Sequence, residues 1–500
     1  MKLKIAFLIL LTASWLLHPV VSVAQKSSSK EVKSFDAYAA QGLTDWKMPG
    51  MALALMKDGK VLLNKGYGVR ELGKPELFDN QTLFCIASTT KAMTAVCVAM
   101  LVDEGKVNWD DKVIDYLPDF RLYDPYVTRE LQVRDLLLHN SGVGNADFLW
   151  AIMDTTSDEV LRRMRFVEPQ YSFRSDFVYQ NIMYLVAGQL VEKISGIPWT
   201  DFVQQRIFQP LGMTRTRSLQ ARVSDSNRAT PHYIIDGKVT VIQDWPDDAV
   251  APAGSVWSCV DDMSKWILCM TDSSKYAGGR LLKPGTWTEI FKPQVLIGED
   301  FYPTMQLTKP NWTTYGYGWF QQDYMGKKIN FHTGSIDGNI AIACIIPEER
   351  FGFFLLGNLD HAELRHALMF KAIDLFVTGG NRDWSNEFRQ LYDSLKALGD
   401  QESAQFDSGR VMNTKPSLSL SDYAGTYTDE LYGVAEVAAT DSGLVIMLND
   451  LLELHMTHWQ YDIFRGYFPR RHWGESLAQF SLNEEGKSVK LEISGATFKR

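Results

Sequence analysis

Apolar residues fall into strand-like runs near the start of the chain, recur at helical spacing through its middle, and return to strand-like runs beyond residue 329. Met51 to Lys57 and Lys60 to Lys65 flank Asp58-Gly59, a pair suited to a tight turn, and predict a hairpin. Helical patterns follow, among them Thr90 to Glu104 and Asn181 to Ile194. Strands are expected again at Ile329 to Ile346 and Gly352 to Leu356, then a helix at Ala362 to Val377. Early and late strands with helices between them suit one antiparallel sheet carrying an inserted helical region, an α+β class. From Gly379 to Pro416 the texture changes: Trp384 to Leu398 is amphipathic, and Gly399 to Pro416 reads as a polar loop, so 379–416 is expected to be a linker with a helix. The remainder, 417–500, carries short β patterns at Gly433 to Ala439, Leu444 to Leu448 and Val489 to Ile493, and predicts a small separate β domain.

Charge and compartment refine this outline. Met1-Lys2-Leu3-Lys4 leads into the apolar run Ile5 to Leu17, and Ser22-Val23-Ala24 offers small residues for cleavage. Residues 1–24 are therefore expected to be a secretory signal, with a secreted or periplasmic product starting at Gln25. The run is short and interrupted by His18-Pro19, which disfavours a stable membrane anchor once the signal is removed. The chain of 500 residues has 51 basic and 60 acidic side chains, net −9, a balance that disfavours nucleic-acid binding. Five cysteines are too few and irregular for a disulfide scaffold, so buried free thiols are expected. No metal cage and no cofactor motif is present; His455 and His458 are a lone pair that reads as strand and loop chemistry and not as ligands.

The chemistry concentrates in three segments. Ser88-Thr89-Thr90-Lys91 sets a serine and a lysine one helical turn apart at the head of an apolar helix. A serine hydroxyl needs an adjacent base to act as a nucleophile, and a lysine desolvated by apolar neighbours can take part in that transfer. Alone the spacing is weak: Ser27-Ser28-Ser29-Lys30 repeats it in a polar stretch with no apolar stripe, which reads as coincidence. Tyr179-Gln180-Asn181 then stands at a loop-to-helix junction, where cations such as Lys91 would have to favour the phenolate for Tyr179 to serve as a base. Phe331-His332-Thr333-Gly334-Ser335 reads as an edge strand whose Gly334 admits close approach by a ligand.

Serine-x-x-lysine, then Y-x-N, then a [K/H]-[TS]-G strand resembles the serine β-lactamases of class C type and their penicillin-binding relatives, over residues 31–378. Leu136 to Gly142, Asp111 to Pro118, Ala253-Gly254-Ser255 with Asp262-Met263, and Tyr315 to Trp319 resemble further segments of that family. Asp422 to Tyr427 and His458 to Phe464 resemble a lipocalin-like β-barrel often appended to it, whose aromatics would fill a core or narrow the cleft. The resemblance implies Ser88 as acyl-accepting nucleophile, Lys91 and Tyr179 as its proton-handling pair, and Asn181 bonding a substrate amide or Lys91. It implies an oxyanion hole from the backbone N–H groups of Ser88 and Ser335, with Thr333 and Gly334 on the substrate-facing strand. His332 stands where many penicillin-hydrolysing members carry lysine, which would exchange a permanent cation for a group titrating near pH 6.5. That departure disfavours efficient β-lactam hydrolysis. It points to peptide-like amides with D-configured residues or to small esters, with a non-turnover penicillin-binding sensor or scaffold as the other class. The expected partner is a small-molecule or peptide substrate; the sequence leaves oligomeric state open.

Overall fold

The computed structural model describes residues 19–245, 248–298, 301–360 and 362–500, with side chains from residue 29 onward. Its larger part is built on eight antiparallel strands. They are β1 (Gly50–Lys57), β2 (Lys60–Gly68), β3 (Val295–Leu296), β4 (Thr313–Gly316), β5 (Trp319–Tyr324), β6 (Lys327–Ile336), β7 (Asn339–Ile346) and β8 (Phe351–Gly357). The order across the sheet is β2-β1-β8-β7-β6-β5-β4-β3. The first hairpin thus pairs with the last strand, and the inserted region leaves from one edge and returns at the other. Asp58 and Gly59 turn the β1–β2 hairpin with positive φ at both positions, 52° and 75°, as a type I′ turn requires.

Both faces of the sheet are covered, which explains why β7 is apolar without alternation. Ala341, Ala343 and Ile345 face the inserted helices, while Ile340, Ile342 and Cys344 face helices from the chain's start and from beyond the sheet. The helices that matter below are α1 (Pro19–Asp45), α2 (Thr90–Asp103), α3 (Asn181–Ser195), α4 (Val260–Thr271), α5 (Leu364–Ile373) and α6 (Trp384–Ser408). Nearly every residue of α2 is buried, as expected for a helix that is apolar on all sides.

Three short two-stranded ribbons lie in the inserted region, and the last eight strands close an antiparallel barrel from Gly425 to Lys499. Gly433–Ala439 alternates inward and outward residues, and Tyr423, Tyr427, Phe464, Phe480 and Phe498 fill the interior. All five cysteines are buried and unbridged.

Several expectations need correction. α6 runs on through Gly399 to Ser408 where a loop was expected; the ion pair Lys396–Asp400 bridges the glycine at i,i+4 spacing, and one glycine costs a helix only about 1 kcal/mol. The polar stretch that ends at Ser29-Lys30 lies within α1. β6 is an interior strand and not an edge, because β5 and β7 flank it. The pairing with β5 ends at Phe331, however, so from His332 onward only β7 remains alongside. Residues 1–18 of the expected leader lie outside the described residues, and 19–24 belong to α1. Among the described residues no helix is long and apolar enough to cross a membrane.

Candidate active site

Ser88 sits between the sheet and the inserted helices, in the 3-10 turn Ala87–Thr89 that opens α2. Ala87 takes φ +45°, a conformation that costs an alanine of order 1–3 kcal/mol and that the surrounding packing must enforce. Part of that packing is the end of β6. A Cβ on Gly334 would stand 2.3 Å from the Ile86 carbonyl oxygen, so the close approach that Gly334 permits is that of the turn carrying Ser88. The expectation of a ligand there gives way to an internal contact.

Lys91 points from the first turn of α2 and is fully buried. Its Nζ donates to Ser88 Oγ at 3.1 Å, to Asn181 Oδ1 at 2.7 Å and to the Ala253 carbonyl at 2.9 Å. Three acceptors match the three donors of an ammonium, and the rings of Tyr179 and Tyr184 lie 4.9 and 5.4 Å away. Asn181, at the first turn of α3, spends its other end on Asp147: Nδ2 donates to Oδ2 at 2.9 Å.

Tyr179 is packed between His139 and Phe320, with ring centroids 4.4 and 6.4 Å away. Burial raises its phenol well above the ordinary range, and a hydrogen bond with Ser88 acts in the opposite direction. Tyr179 is therefore a protonated phenol in the resting site, and the condition for it to stand as a base, a phenolate favoured by Lys91, is not met there. His139 holds the segment from behind. Its Nδ1 accepts the N–H of Gln180, the residue between Tyr179 and Asn181, at 3.0 Å. Burial, then the charge of Lys91, keeps the His139 imidazole neutral, with a pKa lowered well below 6.5.

His332 departs most from expectation. It is 1% exposed, and both ring nitrogens are engaged within the protein. The Thr333 carbonyl can only accept, so Nδ1 carries the proton toward it at 2.6 Å, and Nε2 accepts from Tyr315 Oη at 2.9 Å. Burial first, then the charge of Lys91, brings its pKa down to about 3. The ring stays neutral where titration near 6.5 was expected, and it offers no free donor to a carboxylate. Thr333 Oγ1 is bonded to Tyr302 Oη at 2.8 Å, and Ser335 is exposed at the mouth.

Sequence reasoning missed the cation behind this strand. Arg365 Nη1 donates to the Gly334 carbonyl and to Ser335 Oγ, both at 2.7 Å, while Glu363 neutralises the buried guanidinium from 2.9 Å. The Gly334 carbonyl and the Ser335 N–H belong to one amide, so a charge-assisted bond at the oxygen polarises the N–H. Asp147 was missed as well. Neither residue lies in a local motif that marks it.

The family model described as Beta-lactamase matches residues 35–378, and that of a domain of unknown function, DUF3471, matches 409–499. An unguisins hydrolase, ungD, of Aspergillus violaceofuscus is 27% identical over 441 residues, covering 81% of this chain and 76% of that protein. The octameric penicillin-binding protein homologue from Pyrococcus abyssi shares the fold with a TM-score of 0.64 at 20% identity, over 94% of this chain and all of that one. The D-amino acid amidase from Ochrobactrum anthropi SV3 does so with a TM-score of 0.57 at 23% identity, over 69% of this chain and 98% of its own.

Proposed function

Because the chain belongs to the Beta-lactamase family over residues 35–378, we propose that it is a serine hydrolase working through an acyl-enzyme on Ser88. The observation that carries the reading is the buried Lys91 donating to Ser88 Oγ at 3.1 Å and to Asn181 Oδ1 at 2.7 Å, with the Tyr179 ring centroid 4.9 Å from its Nζ. Ser88 Oγ attacks the substrate carbonyl, and the oxyanion faces the N–H groups of Ser88 and Ser335. The Ser88 proton passes to Tyr179 Oη as the phenol's own proton goes to the leaving nitrogen, so Tyr179 ends as it began. This relay suits a phenol whose pKa burial has raised, whereas a standing base would not. Water then attacks the ester, giving one proton to Tyr179 while Tyr179 returns one to Ser88.

Peptide-like amides, with D-configured residues foremost, are the substrates this reading favours. Support comes from the name of the Aspergillus relative, a hydrolase of unguisins, and from the amidase among the structural neighbours. The lysine-led apolar start supports export, with a mature protein beginning at Gln25 that N-terminal sequencing would reveal. The function is tested by turnover of D- and L-amino-acid amides, short-chain esters and a chromogenic cephalosporin, with Ser88→Ala as control. Amide turnover lost in Ser88→Ala is the expected result, and turnover that survives the substitution would end the proposal. Intact mass after fluorophosphonate treatment should show one adduct at Ser88. With a labelled penicillin, a lasting adduct without turnover would identify a sensor.

A further inference from the structure

Tyr179 stands near the end of an irregular loop, residues 167–180, and α3 begins only at Asn181. The loop folds back on residues 139–144. The N–H groups of Arg174 and Val178 donate to the Asn140 and His139 carbonyls, both at 2.8 Å, and the Gln180 side chain donates to the Gly144 carbonyl at 2.6 Å. His139 and Arg174 both take left-handed backbone, with φ of +59° and +61°. Residues with a side chain are strained there, and they persist only where other contacts over-determine them.

An ion pair supplies those contacts. Asp135 is fully buried in the 3-10 turn Val133–Leu137, just ahead of His139. Arg174 meets its carboxylate fork to fork, Nε to Oδ1 at 3.0 Å and Nη2 to Oδ2 at 2.6 Å, and Nη2 also donates to Gln132 Oε1 at 3.0 Å. The same carboxylate accepts from Asn140 Nδ2 at 3.2 Å and from the Gln132 N–H at 2.9 Å. Paired charge-assisted bonds fix direction as well as distance. Four residues separate Arg174 from Tyr179, and three separate Asp135 from His139. The His139 ring in turn lies 4.4 Å from the Tyr179 ring. Both arms that leave the ion pair therefore end at the phenol.

We propose that Arg174 is a positioning residue for acylation: locked on Asp135, it sets the distance and angle of Tyr179 Oη against Ser88. This rests on the serine hydrolase reading above and deepens it, assigning the geometry of the proton relay to a pair of residues that make no hydrogen bond to Ser88, Lys91 or Tyr179 among the described residues. Substrate binding does not use Arg174, so loss of the pair acts on kcat and not on KM.

The test measures kcat, KM and the rate of Ser88 labelling by a fluorophosphonate in Arg174→Ala and Arg174→Lys, each made in the parent and in Tyr179→Phe. The Arg174 side chain is 41% exposed, so its removal opens no closed cavity and the variants should fold. Arg174→Ala should lower kcat and labelling by about tenfold, with KM held within about twofold. Arg174→Lys keeps the charge without the fork and should recover part of the loss. In Tyr179→Phe, adding Arg174→Ala should slow labelling by less than about twofold, because the hydroxyl that it aims is gone. Equal losses in both backgrounds, a loss carried by KM, or an Arg174→Ala as active as the parent would each overturn the proposal. If Arg174→Ala does not fold, the same cycle with Arg174→Lys decides between these outcomes. Amide hydrogen exchange separates the two layers. In Ser88→Ala, adding Arg174→Ala should speed exchange at Val178 and Gln180. Faster exchange together with turnover that survives Ser88→Ala would sink the hydrolase reading and leave the hold of Arg174 on Tyr179 standing. Unchanged exchange in an enzyme that Ser88→Ala silences would do the reverse.

Discussion

At position 332 a histidine is neutral because of where it sits, and two consequences follow. An unfolded imidazole binds a proton below about pH 6.5, whereas folded His332 binds none until about pH 3. Across that window the unfolded chain holds the extra proton, so stability falls as pH drops from about 6.5 toward 3, by about 1.4 kcal/mol per unit for this group alone. His332→Gln should flatten the pH dependence of the unfolding midpoint between pH 7 and 5; an unaltered slope would mean that the ring is not held neutral. A lysine at 332 would press a second ammonium against Lys91 in a buried position, a cost of several kcal/mol. His332→Lys is therefore expected to lose thermal stability and gain no acylation by penicillins. Faster acylation by a folded variant would restore a carboxylate-binding role for this position. Arg365 offers a complementary prediction. Lysine there keeps the charge but cannot reach Glu363, Gly334 and Ser335 together, so Arg365→Lys should lower kcat by about tenfold with little change in KM.

Among the elements, the end of β6 and the turn that opens α2 act as one unit. Gly334→Ala would drive its Cβ into the Ile86 carbonyl at 2.3 Å and against Ala87 Cβ at 3.2 Å. Because Ala87 is already strained, the shift would be carried straight to Ser88. The expected result is a loss of about 1–3 kcal/mol in stability and a tenfold or greater slowing of Ser88 labelling by a fluorophosphonate. Labelling at the parental rate would uncouple the two elements. Gly334 also marks the limit of what could be read from the sequence. The strands at Gly433–Ala439 and Leu444–Leu448 and the first half of helix α6 were legible because a two- or 3.6-residue period records which face is buried, while α2 was legible as an unbroken run of helix-forming apolar residues. The three segments that meet around Ser88 were legible because each has a local spacing. Whether β6 is flanked on one side or two depends on strands far away in sequence, and the neutrality of His332 depends on Tyr315 and Lys91. Asp147 and Arg365 acquire a role only through the groups that the fold brings to them, so no pattern along the chain announces either.

At the scale of the whole molecule, the barrel and the hydrolase part exchange core residues. Ile152 follows the Asp147 segment and is fully buried in the barrel's core, where Asn449 Nδ2 donates to its carbonyl at 3.1 Å. Leu431 does the converse from the turn after the barrel's first strand: it joins the core around α2 and α3, and Arg163 binds its carbonyl at 2.9 Å. Burying each such side chain stabilises the structure by about 1.5–3 kcal/mol, and both would meet water if the parts separated. A third tie grips the tip of the β6–β7 hairpin: Asp337 accepts from His472 Nε2 at 3.1 Å and Trp473 Nε1 at 3.2 Å, just past Ser335. The barrel thus holds both the Asp147 side and the Ser335 side of the cleft, and its removal should do more than widen the opening. Truncation after residue 416 is expected to give an insoluble or inactive product, and the intact chain to unfold in a single calorimetric transition. The milder Trp473→Ala leaves both core exchanges in place and should act on the hairpin alone, raising KM for amides while the protein stays folded. A soluble truncated protein that retains Ser88-dependent turnover would show that the two parts fold independently and that the exchanged side chains contribute little to either core.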